Sequence, residues 1–456
     1  MTSSDGNLCL AKLRDLEENS NVSNRLSVFG TSSWISIKNI IFEKSMSGIR
    51  SSLHNRRSIF SAETAKLVLL SIANYFIRVA RRQPQDIFIG AGVGVFSYEG
   101  RCLDSYVPAE LSSSPGIPAA STLYFLSANN VKVMWQQRSF LVRHQAVAFS
   151  FVVGPLRIFL AKIMSFIPGI NPEVMGVASE ISVAAGCAGI SVSPKEVRLM
   201  HLRFLAGYLV YRFILSPFAI RRAYVVSAYS NSEVCAVLRK IGVEVVEVQH
   251  GLVGPTHRGY NYSGDTKRLP TPNKVSVYND FWKFELMAAG FYKEDQVVIG
   301  GRLKYDLAER ESKAFDFPYV VFSGQGVLVE EVERFVREFS TTDSGFTLLY
   351  VPHPNEGVEY LSKIQRAASC GMNAKVIDRG SVTTERLIVD SAAHISIYSS
   401  CHFDAVHYKN RTFVLDVLDD NLMYHYTKSR PDLFVLVKNV LDFVAVLKEV
   451  GDAADN

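Results

Sequence analysis

The sequence has few cysteines, and their spacing matches no metal-binding or disulfide motif. Six cysteines are scattered through 456 residues, and no two of them form a CxxC pair. Neither a zinc knuckle nor a disulfide framework is indicated, so reduced thiols are the simpler interpretation.

A strong excess of one charge is also lacking. Lysine and arginine together number 49 against 44 acidic residues, which leaves a formal net charge of +5. This excess is too small to indicate nucleic-acid binding, and no nucleic-acid partner is expected. The balance stays compatible with an anionic ligand or an anionic membrane surface.

Long apolar runs are missing as well. The first 24 residues are polar and charged, without the apolar core of a signal peptide, so a cytoplasmic protein is expected. Residues 146–170 and 203–220 are apolar, but Arg157, Lys162 and Arg212 interrupt them, and neither reaches the roughly 18 residues that a span requires. Buried helices are the main expectation, and peripheral contact with the inner face of the cell membrane is the alternative.

A glycine-rich stretch follows one short apolar run. DIFIG, from Asp86, leads into Gly90, Gly92 and Gly94, which resembles the start of a dinucleotide-binding fingerprint. Phe96 and the residues after it supply neither the third glycine nor a helix start. A tight turn from a strand into a loop at the border of a cleft is favoured over a cofactor site.

Strand and helix patterns alternate through the second half of the chain. A strand–helix–strand unit occupies 223–251, the rhythm repeats over 274–301, and it starts afresh at 318. Such units imply right-handed parallel crossovers. The predicted fold class is therefore α/β, with two Rossmann-like domains facing a cleft (GT-B type) and a helix-rich region over 120–220.

The predicted domains follow from this alternation. They are a partly ordered leader over 1–60, with a helix near 34–44, an amino-terminal α/β domain over 61–305, a carboxy-terminal α/β domain over 318–430, and a helix over 432–450 within a tail that starts at 431. The polar segment 302–317 is predicted to be the linker. The ligand is expected at the carboxyl ends of the strands, in the cleft.

Three predicted strands end in polar side chains. They supply Gln249 and His250; then His353, Pro354 and Glu356; then Ser399, Ser400, His402 and Asp404. The proline biases His353 toward an extended backbone, and an imidazole can donate to a phosphate oxygen. Hydroxyl groups at a helix start also bind phosphate. An ordinary helix cap at Ser399 and Ser400 is the alternative.

The order QHG, then HP, then SS followed by an acidic residue resembles a group of bacterial surface-polysaccharide glycosyltransferases. The group comprises bacterial sialyltransferases, capsular Kdo transferases and CDP-glycerol glycerophosphotransferases, and the resemblance spans roughly 223–420. It implies a GT-B fold and CMP- or CDP-activated donors.

The resemblance also implies residue roles. His353 would contact the donor phosphate, with Pro354 and Glu356 beside it, and Ser399 and Ser400 would hold the nucleotide phosphate. His250 would lie near the reacting centre.

The catalytic base stays open among three candidates. The sialyltransferases carry two acidic residues before a glycine, whereas this chain has only Glu99 in Tyr98-Glu99-Gly100, so His250, Glu99 and Asp104 are all candidates. Substrate-binding residues are predicted at Gln249, Gly251, His257, Arg258 and Arg302. The two arginines would meet a sugar carboxylate, and Gly251 would let the chain turn without a Cβ.

The predicted function is a glycosyltransferase of capsule or lipopolysaccharide synthesis that transfers a sugar from a CMP-activated donor. The expected partners are the nucleotide-sugar donor and a glycan or lipid-linked acceptor; no cofactor and no metal are expected, since histidine and serine suit the phosphate. The alternatives are a non-hydrolysing nucleotide-sugar epimerase and a non-catalytic subunit of a polysaccharide assembly complex. Stabilisation by CMP, by UDP or by neither nucleotide distinguishes them.

Overall fold

The computed structural model describes most of the chain. The described residues are 3–50, 62–81, 85–90, 95–98, 101–114, 117–118, 122–126, 131, 146–147, 150–167, 173–255, 257–310, 312–353, 356–378, 382–408, 411–418 and 423–454. Glu99, Pro354, Gly92 and Gly94 lie outside them.

The chain divides into two compact units. The amino-terminal unit is Met1–Lys304 and the carboxy-terminal unit is Tyr305–Asn456. Each is built around a parallel sheet, so the predicted fold class, α/β with two Rossmann-like domains, is confirmed. Segment 302–317 is not an extended linker, because a helix occupies Leu303–Arg310 at the division.

Nine helices are described in the amino-terminal part. They are α1 (Ser3–Asn19), α2 (Val22–Arg25), α3 (Trp34–Arg50), α4 (Ala62–Arg81), α5 (Ser150–Ser165), α6 (Val174–Cys187), α7 (Pro194–Leu215), α8 (Ser232–Lys240) and α9 (Asp280–Ala288). Short 3₁₀ helices cover Ala109–Leu111 and Glu294–Gln296.

The strands of the same unit fall into one large sheet and three small hairpins. They are β1 (Ser27–Val28), β2 (Thr31–Ser32), β3 (Gln85–Ile89), β4 (Val95–Tyr98), β5 (Arg101–Asp104), β6 (Ser112–Ser114), β7 (Ile117–Pro118), β8 (Thr122–Phe125), β9 (Ala146–Val147), β10 (Ile220–Val226), β11 (Glu244–Val248), β12 (Lys274–Val277) and β13 (Val297–Ile299). The large sheet has the order β13-β12-β11-β10-β3-β8-β9, and all its strands are parallel.

The crossover from β10 to β11 shows why the sequence folds this way. Helix α8 buries Val234, Cys235, Val237 and Leu238 against the sheet, at the spacing of one helical face. Gly242 follows the helix with φ +82°, a left-handed conformation that stops a helix at low cost. The chain then enters β11 beside β10 with Val225 paired to Glu247.

Residues 9–44 pack into the amino-terminal unit. Trp34, Ile37 and Ile41 of α3 are buried, and the Trp34 indole N–H donates to Glu17 Oε1 of α1 (2.7 Å). Lys38 Nζ also donates to Glu17 Oε1 (2.7 Å), and both side chains are almost fully buried. These residues belong to the amino-terminal unit, so residues 9–44 of the segment predicted as a partly ordered leader are packed structure.

The carboxy-terminal unit has six strands and seven helices in its described part. Strands are β14 (Tyr319–Ser323), β15 (Thr347–Val351), β16 (Ala374–Val376), β17 (Ala393–Ser396), β18 (Thr412–Leu415) and β19 (Phe434–Val437). Helices are α10 (Leu303–Arg310), α11 (Val329–Thr341), α12 (Val358–Ala368), α13 (Thr384–Asp390), α14 (Cys401–His407), α15 (Tyr424–Ser429) and α16 (Val440–Ala454). The parallel order is β16-β15-β14-β17-β18-β19.

Helices cover both faces of this second sheet. Val320 and Phe322 face a cluster with α11, α12 and α16, whereas Tyr319 and Val321 face a cluster with α13 and α14. The alternation follows from the two-residue period of a strand and explains the continuous apolar runs in the sequence.

The end of the chain differs from the prediction. Residues 432–450 do not form one helix, because Phe434–Val437 is strand β19 and the helix begins only at Val440. Asn439 separates the two, and its Oδ1 accepts from the backbone N–H of Asp442 (2.9 Å). Among the described residues no helix is both long and apolar enough to cross a membrane.

Candidate functional site

Both sheets contain a topological switch point. In each sheet the first long strand is central and the strand order reverses beside it, between β3 and β10 in one sheet and between β14 and β17 in the other. Open parallel sheets bind ligands beyond the carboxyl ends of their strands at such points. The residues that follow these four strands are therefore the first candidates.

A strained turn follows β10. Ser227 has φ +58°, which is uncommon for a residue with a Cβ, and the turn presents the backbone N–H of Ala228 to Glu247 Oε1 (3.0 Å). Strained residues cluster at functional sites because the surrounding contacts hold them there. The turn also sets the position of Tyr229.

Glu247 lies on β11 and is completely buried. Its Oε1 also accepts from the Tyr260 hydroxyl (2.9 Å), and its Oε2 has no hydrogen-bond partner among the described residues. Burial raises the pKa of Glu247 to about 7, although the Tyr260 and Ala228 hydrogen bonds act in the opposite direction. This carboxyl group therefore titrates near neutral pH.

His250 follows β11 and pairs with a tyrosine. Its Nε2 lies 3.1 Å from the Tyr229 hydroxyl, and its buried Nδ1 has no partner within the described part of the chain. Burial, with Arg258 and Arg302 nearby, lowers the pKa of His250 to about 4. The imidazole is neutral at pH 7, so one ring nitrogen accepts a hydrogen bond and the other donates one.

Arg302 lies beside this histidine. Its guanidinium stacks over the rings of Tyr106 (4.5 Å) and Tyr278 (5.2 Å), and its Nε donates to the Ser105 carbonyl (3.0 Å). The Tyr106 ring also meets the His250 ring, with centroids 6.4 Å apart. The structure thus brings Arg302 and His250 together, although 52 residues separate them in the sequence.

Asp104 is brought to the same edge. It ends β5, is buried, and its Oδ1 accepts from the backbone N–H of Tyr106 (3.0 Å). A Cβ added to Gly90, the first residue after β3, would lie 2.7 Å from Asp104 Oδ2. This close approach accounts for Gly90 without a cofactor.

Gln249 is held by the backbone at both ends of its amide. Its Nε2 donates to the Gly251 carbonyl (2.9 Å) and its Oε1 accepts from the backbone N–H of Tyr278 (3.0 Å). Through these two hydrogen bonds Gln249 joins the ends of β11 and β12. His250 is positioned as a consequence.

The explanation predicted for Gly251 is wrong. Its φ is not in the left-handed region, and a Cβ added there would meet nothing within 4 Å. The glycine that is required is Gly259, where an added Cβ would lie 2.3 Å from Tyr229 Cδ1. Gly259 lets the loop cover the Tyr229 ring.

His257 and Arg258 lie on that same loop. His257 Nδ1 accepts from the backbone N–H of Gly259 (3.1 Å), and burial, with Arg258 and His250 nearby, lowers the pKa of His257 to about 3. Arg258 Nε donates to Asn39 Oδ1 (2.5 Å) of α3 and lies over the Phe42 ring (4.8 Å). Arg258 therefore ties the loop to α3.

In the carboxy-terminal unit a glycine and a carboxylate shape the switch point. Glu356 Oε1 accepts from the backbone N–H of Gly326 (3.1 Å) and from the Tyr350 hydroxyl (2.8 Å). A Cβ at Gly324 would lie 2.2 Å from Glu356 Oε1. Glu356 thus fixes the loop after β14, and only glycine fits at position 324.

His353 is half-buried just beyond the end of β15. Its backbone carbonyl accepts from the N–H of Glu356 (3.0 Å), which links the histidine to the loop after β14. Strands β15, β14 and β17 are neighbours, so the residues after β15 and β17 lie about 10 Å apart across the sheet edge.

Ser399 and Ser400 follow β17. Ser399 is buried and its Oγ accepts from the backbone N–H of Cys401 (3.2 Å), whereas Ser400 is exposed. Gln325, after β14, accepts from the backbone N–H of Tyr398 (2.9 Å) and joins the two strand ends. The serines therefore flank the switch point, and Ser400 is open to solvent.

Two histidines of this unit are structural. His394 bonds Thr412 Oγ1 and Ser323 Oγ (2.9 Å each), and His402 Nδ1 lies 2.5 Å from Thr412 Oγ1. Both rings are fully buried, and burial lowers the pKa of His402 to about 3. Asp404 accepts from the Tyr305 hydroxyl. His402 and Asp404 therefore face the protein and not a ligand.

No group of three histidine, cysteine, aspartate or glutamate side chains among the described residues is arranged to hold a metal ion. Glu247 is the functional candidate that the sequence motifs missed. Its signal was a charged residue between valines in the buried part of a strand, where both neighbours in the sequence are apolar. Glu244, at the start of the same strand, pairs with Lys274 (2.9 Å) and Arg222 (3.1 Å), but Glu247 forms no salt bridge with any described cation.

No protein-family model matches this sequence, and no curated protein matches it. Solved structures resemble the fold. UDP-GlcNAc 2-epimerase from Neisseria meningitidis bound to UDP-GlcNAc aligns with 82% of this chain and 92% of that chain, at 12% identity and TM-score 0.47. UDP-N-acetylglucosamine 2-epimerase from Rickettsia bellii aligns with 82% and 89%, at 9% identity and TM-score 0.42. A glycotransferase of kitacinnamycin aligns with 81% and 91%, at 10% identity and TM-score 0.44.

The predicted transfer from a CMP-activated donor is corrected by these findings. UDP-GlcNAc 2-epimerases recur among the similar structures. The sialic acid and Kdo specificity belongs to the same prediction and is corrected with it.

Proposed function

We propose that this protein is a nucleotide-sugar epimerase of the non-hydrolysing type. The observation that carries the proposal is the cluster of His250, Tyr229 and Glu247 at the carboxyl edge of the amino-terminal sheet. His250 is neutral and hydrogen-bonded to Tyr229, and Glu247 lies buried with a pKa of about 7. Groups with shifted pKa values at the end of a parallel strand are typical of acid–base sites.

Inversion at a carbon that bears hydrogen sets the chemical requirement. One group takes the proton, and the electron pair of the C–H bond forms a C=C bond as the adjacent C–O bond to the nucleotide phosphate breaks. The phosphate oxygen then re-forms the C–O bond while a proton is returned to the opposite face of the carbon. His250 is assigned to this exchange, with Asp104 and Glu99 as the other candidates. Glu247 is a positioning residue, because it bonds the turn that carries Tyr229 and the Tyr260 hydroxyl.

Residues around His250 are assigned to binding and positioning the substrate. Arg302 is assigned to the anionic part of the substrate, since its guanidinium lies at the edge that carries His250. Gln249, Gly251, His257 and Arg258 are assigned to positioning: they hold the end of β11 and the loop that covers Tyr229.

The nucleotide is assigned to the carboxy-terminal unit. Ser400 and Ser399 would bond the phosphate at the switch point, and His353, followed by Pro354, would bond it from the end of β15. Glu356 would keep the loop after β14 in place. Hydroxyl and imidazole groups supply enough donors for a phosphate, so the proposal includes no metal and no cofactor.

Solvent isotope exchange tests the proposed reaction. UDP-GlcNAc, the ligand named for two of the similar structures, is incubated with the protein in D₂O, and deuterium at the sugar carbons is followed by NMR. We expect one solvent deuterium at the inverted carbon, and His250→Ala should lower the rate on the order of 10²-fold.

Two outcomes would contradict the reaction. Release of UDP without deuterium in the sugar indicates transfer or hydrolysis. Absence of both turnover and thermal stabilisation by UDP indicates the non-catalytic subunit.

The proposal includes peripheral contact with an anionic membrane, supported by two helices whose solvent-exposed sides are apolar. On α4 the exposed large side chains are Leu69, Ile72, Phe76 and Ile77, and on and just after α5 they are Leu156, Ile158, Phe159, Ile163, Phe166 and Ile167. We call the exposed apolar side chains on and just after α5 the apolar face. Helix α5 has no acidic residue, and Lys162 is exposed among its apolar side chains. Lysine among aromatic and aliphatic groups is typical of a helix that lies on lipid.

A further inference from the structure

A pocket lies at the amino edge of the amino-terminal sheet, opposite the edge that carries His250. Helix α8 starts at the carboxyl end of β10 and finishes before β11 begins, so its last residues, Arg239 and Lys240, lie at the amino edge. They line a pocket of about 180 Å³ together with the β1–β2 hairpin, Tyr208 and residues 267–270. The candidate site at the carboxyl edge uses none of these residues.

The pocket is strongly basic. Arg239, Lys240, Lys267 and Arg268 all line it, all four are exposed, and none forms a salt bridge with a carboxylate in the described ranges. Asp265 is the acidic residue on the same loop; it accepts from Asn24 Nδ2 and from the backbone N–H of Lys267. Four cations against one carboxylate favour an anion with several charges.

An aromatic ring occupies a costly position at the rim. The β1–β2 hairpin has a two-residue turn, Phe29-Gly30, in which both residues have positive φ (+56° and +79°). Such turns prefer Asn-Gly, and a bulky residue with positive φ is a genuine outlier. The Phe29 ring is 55% exposed and stacks on Tyr208, with centroids 5.5 Å apart and an interplanar angle of 17°.

We propose that this pocket binds a nucleotide, with the base stacked on Phe29 and the phosphates held by the four cations. Its volume accommodates phosphates but is below the roughly 300–1,000 Å³ of sites that enclose a drug-sized ligand, so the base lies at the rim. Stacking on an aromatic side chain tolerates any base. The pocket is a second nucleotide site, separate from the one assigned to the carboxy-terminal unit.

Calorimetric titration with ADP tests the proposal. The background variant is His353→Ala, Ser399→Ala, Ser400→Ala, which removes the nucleotide site proposed in the other unit. We expect one ADP per chain. Phe29→Asn should weaken ADP binding roughly tenfold through lost stacking, with the melting temperature equal or higher because asparagine suits the turn.

The charge and ring contributions are separated by two further measurements. Lys267→Gln with Arg268→Gln should weaken ADP and pyrophosphate binding alike, whereas Phe29→Asn should leave pyrophosphate binding unchanged. Unchanged ADP affinity in Phe29→Asn, or no ADP binding in the background variant, overturns the proposal. Either result leaves the deuterium exchange at His250 untouched.

Discussion

At the level of single residues, Gly259 is the glycine on which the His250 cluster depends. An added methyl group would overlap the Tyr229 ring, which must then move away from His250. We expect Gly259→Ala to destabilise the protein by about 1–3 kcal/mol, as overpacking does, and to lower the turnover of the proposed epimerase reaction at least tenfold. Chemical denaturation and steady-state rates measure the two effects.

Gly251→Ala is the matched control for this change. Position 251 has an ordinary φ and open space around the new methyl group. Stability and turnover should stay within about 0.5 kcal/mol and a few-fold of the parent. Equal losses of stability and turnover in the two variants would mean that the overlap with Tyr229 is not the cause of either effect.

The buried carboxyl group of Glu247 leads to a prediction about how the stability of the protein depends on pH. Its pKa is raised in the folded state, so its contribution to stability is present below pH 4.5 and is lost as the pH rises through about 7. Glu247→Gln keeps an oxygen that accepts from Tyr260 and Ala228 but cannot ionise. The variant should therefore match the parent near pH 4.5 and exceed its stability by about 3 kcal/mol well above pH 7.

Denaturation midpoints measured from pH 4.5 to 9 give this difference directly. The pKa values of His250 and His257 are lowered, so both histidines destabilise the fold as the pH falls below 6.5, but they are present in both proteins and cancel. A stability difference that does not change with pH would show that Glu247 ionises normally. A shift in the pH–rate profile of the variant would separate its positioning role from a purely structural one.

At the level of elements, the loop after β14 depends on Gly324 in the same way. Alanine there would push Glu356 away and release the backbone of Gly326. We expect Gly324→Ala to weaken UDP binding by roughly 1.5–3 kcal/mol if the loop holds the phosphate. Gly357→Ala, where the methyl group meets nothing, is the control, and titration calorimetry is the measurement. Unchanged affinity in Gly324→Ala would place the nucleotide elsewhere.

The parallel strands were the most predictable elements. VVFS, TLLYV and HISI are short apolar runs bounded by glycine, proline or serine, and all are buried on both faces of the second sheet. The strand ends that carry His353 and Ser399 follow from two of those runs, and the end that carries His250 follows from the run of β11 in the first sheet. Their placement at two switch points does not, because strand order is a property of pairing between distant segments.

Three features were not predicted from the sequence, because each depends on contacts that a local pattern does not show. Glu17 and Lys38 look like surface charges in the sequence, but they form a buried pair at 2.7 Å that packs α1 against α3. The run from Phe434 to Leu447 is apolar at both strand and helix spacing, and only the cap at Asn439 divides it. Glu247 escaped because a single carboxylate in a strand matches no motif.

At the level of the whole molecule, the apolar face predicts how the protein distributes between solution and membrane. Phe159 and Phe166 are 61% and 77% exposed, and Lys162 lies between them in the sequence. A partner protein would favour fewer lysines, since interfaces between proteins are depleted in them. An anionic lipid surface can bury the apolar side chains at the headgroup boundary and attract the charge of Lys162.

Vesicle sedimentation tests this surface. The protein should pellet with vesicles that contain phosphatidylglycerol and not with pure phosphatidylcholine, and Lys162→Gln should weaken binding roughly fivefold. Phe159→Ser with Phe166→Ser should abolish it, whereas Met372→Ser, at a 90% exposed residue of the other unit, should leave it intact. A different result would contradict the membrane contact: the parent is a dimer in sedimentation velocity, the Phe159→Ser, Phe166→Ser variant is a monomer, and neither protein binds vesicles. In that case the apolar face joins two copies of the chain.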